Sequence, residues 1–295
     1  MIFSNKNSIK NHDFFIFELL IIELCNFKCS YCYMRNESPT WGSFSTKKEI
    51  FKVIKKLEEL NNKVSICLSG GEASLHPNFL EFVDYITNSE KIHSLHINTN
   101  LQLSEEKIEK ILKIDSDVKF HISFHAGQSD KDFKIKLKKI PKKNQELNIM
   151  IHPAKKYKKD IDDIVKFCDT NNILYNIKPI FINSKFKPSQ YVIESMNYKN
   201  SNKEYTDGNR DYNDYDLYKE GLLPMNTLGW ECYYIFYTID CKQGNIKQMC
   251  RLYDDLNIFK NFDFFNNYDL SKPIICSFKN SCLWASSLDH YKVKK

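Results

Sequence analysis

Glycine and proline are scarce in this chain, eight of each among 295 residues, where about 7% and 5% are usual. That scarcity excludes a collagen-like repeat, a Gly/Ser linker and a glycine-rich phosphate loop. Long apolar runs are missing too. The stretch 14–24 is short and interrupted by Glu18 and Glu23, so no membrane span is expected. The amino terminus has neither an apolar core nor a small-residue cleavage site, so no signal peptide is expected and the chain reads as cytoplasmic. A strong charge of one sign is also absent. Lys+Arg number 43 against 37 Asp+Glu, a net +6, too small and dispersed to indicate nucleic-acid binding. Apolar residues at 42% exclude a disordered chain. Cysteine, by contrast, is abundant, with ten residues. Without an export signal, they argue for metal ligation or redox chemistry rather than a disulfide framework.

β-rich runs recur at 14–24, 64–68, 92–98, 118–124, 147–152 and 174–181, and after the first interval their spacing is that of one βα unit. The intervening segments carry helical stripes. Thr46-x-x-Glu49 is a capping-box pattern, followed by Ile50, Val53, Ile54, Leu57 and Leu60 on one face. Similar stripes follow Pro77 and Ser104, and Ile161, Ile164, Val165 and Cys168 follow a cap expected at Asp160. The fold class expected is α/β, a partial (β/α)6 TIM-like barrel. Its strands alternate. Val118, Phe120, Ile122 and Phe124 oppose His121 and Ser123, and Leu147, Ile149 and Ile151 oppose Asn148 and His152. With His96, Asn98 and Lys178, that polar side is expected to line a barrel lumen, though a face of satisfied structural hydrogen bonds explains any single residue as well. Seven lysines within 131–143 read as a solvated helix face.

Cys25, Cys29 and Cys32 form C-x3-C-x2-C directly after the first predicted strand. Three thiolates on one loop hold three irons of a cubane and leave the fourth open. A zinc loop is the alternative. The pattern resembles the radical S-adenosylmethionine (radical SAM) enzymes, whose C-x3-C-x-Φ-C hallmark has an aromatic where Tyr31 stands. The resemblance continues with Gly70-Gly71-Glu72 at the end of the second strand, Asn98-Thr99-Asn100 after the third, and Ser123 and His125 ending the fourth; Leu101 replaces a glycine common in the family. It implies a [4Fe-4S] cluster on Cys25, Cys29 and Cys32, with S-adenosylmethionine bound near Tyr31, Gly70, Gly71, Glu72, Asn98, Asn100, Ser123 and His125. Cys67 and Cys168 are expected in the core.

Four regions are expected: an N-terminal extension (1–13), a radical SAM core (14–183), an irregular connector or lid (184–221), and a small C-terminal unit (222–295) with a hairpin at Gly244-Asn245. Cys232, Cys241, Cys250, Cys276 and Cys282 crowd that last unit. It resembles the twitch domain, a shortened SPASM domain, which implies an auxiliary [4Fe-4S] cluster on Cys232, Cys250, Cys276 and Cys282 with Cys241 as possible substitute. A four-thiolate zinc site uses the same side chains. The reaction implied is hydrogen abstraction from a small polar substrate with net oxidation of a sugar or nucleotide-linked sugar, the electron for cleavage coming from a flavodoxin- or ferredoxin-type partner. His121, His152 and Lys178 are the candidate bases. A peptide maturase, an RNA-modifying radical enzyme and a non-catalytic iron–sulfur redox protein are the other readings. With Cys25 so near the start, no leader-peptide-binding domain is expected before it.

Overall fold

The computed structural model describes residues 2–5, 14–32, 34–35, 42–152, 154–180, 202–203, 205–206, 209–220, 228–233, 235–247, 256–276 and 291–293. The chain starts with β1 (Ile2–Asn5) and β2 (Phe14–Ile22). It continues through α1 (Lys47–Glu58), β3 (Lys63–Gly70), α2 (Phe79–Thr87), β4 (Ile92–Thr99), α3 (Glu105–Ile114), β5 (Lys119–His125), α4 (Phe133–Lys139), β6 (Gln145–Ile151), α5 (Lys158–Asn171) and β7 (Tyr175–Pro179). Then come β8 (Tyr205–Thr206), β9 (Asp211–Tyr212), α6 (Asp214–Lys219), β10 (Glu231–Tyr233), β11 (Phe236–Asp240), β12 (Asn245–Lys247), α7 (Phe262–Asn266), β13 (Ile274–Ile275) and β14 (Tyr291–Val293).

Local sequence explains most of these boundaries. Thr46 and Glu49 form the expected reciprocal capping box, and Ile50, Val53, Ile54 and Leu57 are the buried stripe of α1. Ser104 caps α3 by accepting from the Lys107 N–H at 3.2 Å. Asp160 does not cap α5, which already starts at Lys158 after Tyr157. Its carboxylate instead accepts from the Gly127 N–H at 3.0 Å, so the helix start is set by the loop it meets rather than by a side-chain cap.

The main sheet runs β12-β11-β2-β3-β4-β5-β6-β7. Strands β2 to β7 are all parallel, the arrangement that βα crossovers dictate, and the expected α/β partial barrel is what the chain forms. The hairpin expected at Gly244-Asn245 also forms, and it lies on the sheet's edge: β11 pairs parallel with β2, Thr238 opposite Glu18. Tyr237 of β11 and Phe265 of α7 join Phe15 and Phe17 there, with ring centroids 5.1–5.9 Å apart. The second sheet, β13-β10-β14-β1-β8-β9, is antiparallel throughout. There the N-terminal segment 1–13, read from sequence only as an extension, supplies β1, a central strand. Most of the expected connector 184–221 lies outside the described residues.

The alternation read from sequence is realised. On β5, Phe120, Ile122 and Phe124 are buried while Lys119, His121, Ser123 and His125 keep partial exposure; the apolar side meets the helices and the polar side faces the lumen. Cys67 and Cys168 are buried, as expected. No helix among the described residues is long and apolar enough to cross a membrane.

Candidate active site

The loop that follows β2 carries Cys25, Cys29 and Cys32, and its ends are fixed by glycine. Gly71 and Glu72 donate their N–H groups to the carbonyls of Ile22 and Leu24 at 2.8 and 3.0 Å. A Cβ on Gly70 (φ +144°) would sit 2.0 Å from the Ile22 oxygen, and one on Gly71 would sit 2.3 Å from the Leu24 oxygen and 3.0 Å from the Cys25 Cβ. The Gly-Gly pair is therefore required where the end of β3 presses against the cysteine loop.

Glu72 is 1% exposed. Its carboxylate accepts from the Ser74 hydroxyl (2.6 Å), the Thr99 hydroxyl (3.0 Å) and the Asn100 N–H (2.7 Å). Burial pushes its pKa up, against the pull of those bonds. Its carboxylate thus ties its own turn to the end of β4 from beneath, while its N–H holds the cysteine loop, rather than facing an open cleft. Leu101 has φ +63° and is fully buried: the turn keeps the left-handed backbone that a glycine would favour, with the Thr99 hydroxyl accepting from the Leu101 N–H at 2.9 Å.

The cysteine sulfurs sit close enough to act on one another electrostatically, and burial raises the thiol pKa of Cys25 and Cys29. Cys25 Sγ accepts from the Phe27 N–H (3.4 Å) and the Asn100 side-chain amide (3.6 Å). Among the described residues no three His, Cys, Asp or Glu side chains are grouped as ligands of one metal ion. The donor set nonetheless suits a cubane, which takes one thiolate per iron, and loading it must displace the thiol protons. Tyr31 locks the last turn: its hydroxyl lies 2.8 Å from His125 Nδ1 and its ring meets His152 edge-on at 5.4 Å. Burial alone lowers the His125 pKa to about 4. Burial, then Lys156, lowers that of His152.

Below the loop, the lumen carries a polar band. Glu18 accepts from the Asn98 side-chain amide at 2.9 Å and from the Thr238 hydroxyl at 2.8 Å, and the same Asn98 nitrogen also reaches Ser69 Oγ at 3.0 Å. On the neighbouring strands, His96 Nδ1 lies 3.0 Å from His121 Nε2, which lies 3.4 Å from Glu146 Oε2. Sequence reasoning noticed Glu18 only as an interruption of an apolar run, and passed over Glu146. Period-2 alternation, continued across β2 and β6, was the signal that places both on the lumen side.

The three base candidates do not come together. His121 belongs to the mid-lumen band, His152 to the aromatic contact with the cysteine loop, and Lys178 stands in register with Met150 on β7. Asn98 and Asn100 are occupied, the first by Glu18 and the second by Asn26 Oδ1 at 2.9 Å and Cys25. Ser123 is in register with Asn148. Of the C-terminal cysteines, Cys232 stands opposite Ile274 on β10 and β13, and Cys276 lies two pairs further on, donating its N–H to the Trp230 carbonyl and accepting from the Gly229 N–H. The two thus share one face at a diagonal, both buried. Cys241 is in the β11–β12 turn of the other sheet, where burial and then Asp240 and Glu49 raise its thiol pKa. Cys250 and Cys282 lie outside the described residues.

The family model described as Radical SAM superfamily matches residues 19–169. GTP 3',8-cyclase of Haemophilus influenzae is 34% identical over 89 residues, 30% of this chain and 26% of that one; the chain thus spans about a quarter of the length of the curated relatives it matches. Among solved structures, anSMEcpe with bound AdoMet has 15% identity and a TM-score of 0.58, with 87% of this chain and 78% of that one covered. SuiB of Streptococcus suis has 16% identity and a TM-score of 0.53, with 90% and 69% covered. At those identities the structural likeness is one of fold.

Proposed function

The chain belongs to the radical SAM superfamily, and from that premise we propose that it oxidises a small polar substrate, a sugar or nucleotide-linked sugar, by removing hydrogen from an alcohol carbon. The observation that carries the substrate class is the mid-lumen band of Glu18, Asn98, Thr238, His96, His121 and Glu146. A hydroxyl-rich ligand can bond the further acceptor capacity of the two carboxylates, whereas an apolar substrate would strip water from them at a cost.

Cys25, Cys29 and Cys32 are the proposed ligands of the [4Fe-4S] cluster. When bound, the cluster and S-adenosylmethionine supply a 5′-deoxyadenosyl radical able to take hydrogen from an unactivated C–H bond. The chain's own residues orient and shield. Asn100 and the Phe27 N–H hold the Cys25 sulfur, Tyr31 and His125 fix the loop's last turn, and Glu72 keeps the loop ends together. Cys232 and Cys276, with Cys250 and Cys282, are the proposed ligands of an auxiliary cluster. Cys241, buried in the other sheet, is less suited to replace one of them.

The lysine stretch gives no support to an RNA substrate. Lys136 pairs with Asp130, Lys139 with Glu105 and Glu109, and Lys143 with Asp117, while Lys134 and Lys138 lie over the Phe167 ring.

The test is anaerobic reconstitution followed by assay against pools of amino sugars and nucleotide sugars. Expected are about eight irons per chain, 5′-deoxyadenosine, and a product two mass units lighter than its substrate. Cys29→Ala should abolish 5′-deoxyadenosine, and Cys276→Ala should leave about four irons and stop product formation. A wild-type chain that forms no 5′-deoxyadenosine under strong reductant would be an electron-carrying protein, and turnover of a precursor peptide instead of sugars would overturn the substrate class.

A further inference from the structure

The mid-lumen histidine pair has a proton order that its neighbours favour. His96 is partly buried, and burial, then His121, Lys119 and His93, lower its pKa to about 3, so it is a neutral imidazole with one ring proton. Its Nε2 lies 3.1 Å from Ser94 Oγ, itself 2.8 Å from Ser65 Oγ. Its Nδ1 faces His121 Nε2 at 3.0 Å. A proton on either atom satisfies that contact, but Glu146 Oε2 stands 3.4 Å from the same His121 Nε2. A carboxylate only accepts, so its charge 3.4 Å away favours the proton on His121 Nε2, which then donates to His96 Nδ1. The lone pair of His121 is then on Nδ1. That atom makes no hydrogen bond among the described residues, and the side chain is 29% exposed on the lumen face.

The other charges nearby leave this order intact. Lys119, on the same side of β5, donates to the Lys143 carbonyl at 2.8 Å. Glu18 on β2 is taken up by Asn98 and Thr238.

We propose that His121 Nδ1 is the proton acceptor for the substrate hydroxyl and that Glu146 and His96 are its positioning residues. This role rests on the dehydrogenation reading. The substrate carbon gives one hydrogen atom to the 5′-deoxyadenosyl radical, and its hydroxyl gives one proton to Nδ1. The remaining electron goes to a one-electron oxidant of the iron–sulfur class, for which Cys232 and Cys276 are proposed ligands. One C–H and one O–H bond break and the carbonyl π bond forms. The imidazolium so made carries one N–H toward the substrate oxygen and the other toward His96 Nδ1, with the half-exposed Glu146 carboxylate 3.4 Å away to balance its charge.

Two measurements test this. The first needs no loaded cofactor: histidine-ring ¹⁵N NMR on the full chain at about pH 8.5, where an ordinary imidazole is neutral. His121 should carry its proton on Nε2, and Glu146→Gln, whose amide can donate, should shift population to the Nδ1–H form. A wild-type His121 protonated on Nδ1 would overturn the assignment. The second uses the reconstituted enzyme. His121→Asn should raise the ratio of 5′-deoxyadenosine to oxidised product about a hundredfold. Glu146→Gln should lower kcat about tenfold with KM within about twofold, and Glu146→Asp should recover part of the loss. An unchanged ratio in His121→Asn, with 5′-deoxyadenosine still formed, overturns this role alone. Absence of 5′-deoxyadenosine from the wild type removes the dehydrogenation reading and this role together.

Discussion

His96 binds its proton far less readily in the folded chain than in the unfolded one. Its pKa falls from 6.5 to about 3, chiefly through burial. Between those values the unfolded chain takes up a proton that the folded chain refuses, so the contribution to stability is complete above pH 6.5 and is lost as the pH falls. From pH 7 to pH 5 the loss is on the order of 2 kcal/mol. His96→Gln should flatten the dependence of urea stability on pH by that amount, and comparing the two pH values within each protein cancels the constant cost of the lost contacts. An unchanged slope would mean that His96 is protonated in the folded chain. Residues of this kind were half legible. His96 and His121 show in the alternation of their own strands. So does Glu18, but its pairing does not, because Asn98 and Thr238 lie 80 and 220 residues away, and only closure of the sheet brings them to it.

At the scale of elements, the Gly-Gly turn shows how a local signal can be right in place and different in cause. The pair marks the end of β3, as its sequence position suggested, but what it accommodates is the Ile22 and Leu24 backbone. Gly70→Ala combines a positive φ with a 2.0 Å clash, and should cost about 2–4 kcal/mol. Gly71→Ala, pressing on Leu24 and Cys25, should reduce the iron retained after reconstitution. Gly42→Ala is the control, with φ +89° and nothing within 4 Å, and should cost about 1 kcal/mol with full iron loading. Equal iron content in Gly71→Ala and wild type would separate the turn from the cysteine loop. Caps and stripes were legible for the same reason that the Asp160 cap was not: Thr46 and Glu49 satisfy each other within one turn, whereas Asp160 is claimed by Gly127 on another loop.

At the scale of the whole molecule, the order of βα units was legible and the partners of the sheet edges were not. The repeat spacing sets which strands follow one another, and consecutive parallel strands then pair as neighbours. Nothing in the local pattern announces that β1 pairs with β14, or that β11 returns to lie beside β2. The second pairing has an energetic consequence. Phe15 and Phe17 of β2 are fully buried, and Tyr237 and Phe265 are the rings packed against them from the C-terminal unit. Burying one such ring is worth about 4 kcal/mol. Removing both rings therefore takes away roughly 8 kcal/mol, a sum comparable to the whole stability of an ordinary domain. Cutting away β11 with them also bares the backbone edge of β2, a template for association. A fragment of residues 14–221, which contains every strand from β2 to β7, should accordingly fail to unfold cooperatively in a thermal melt and should elute as aggregate. Tyr237→Ala in the full chain should lower the midpoint of unfolding without abolishing the transition. If the fragment instead melts as a cooperative monomer, the barrel is an autonomous unit and the hairpin on its edge contributes no necessary part of its core.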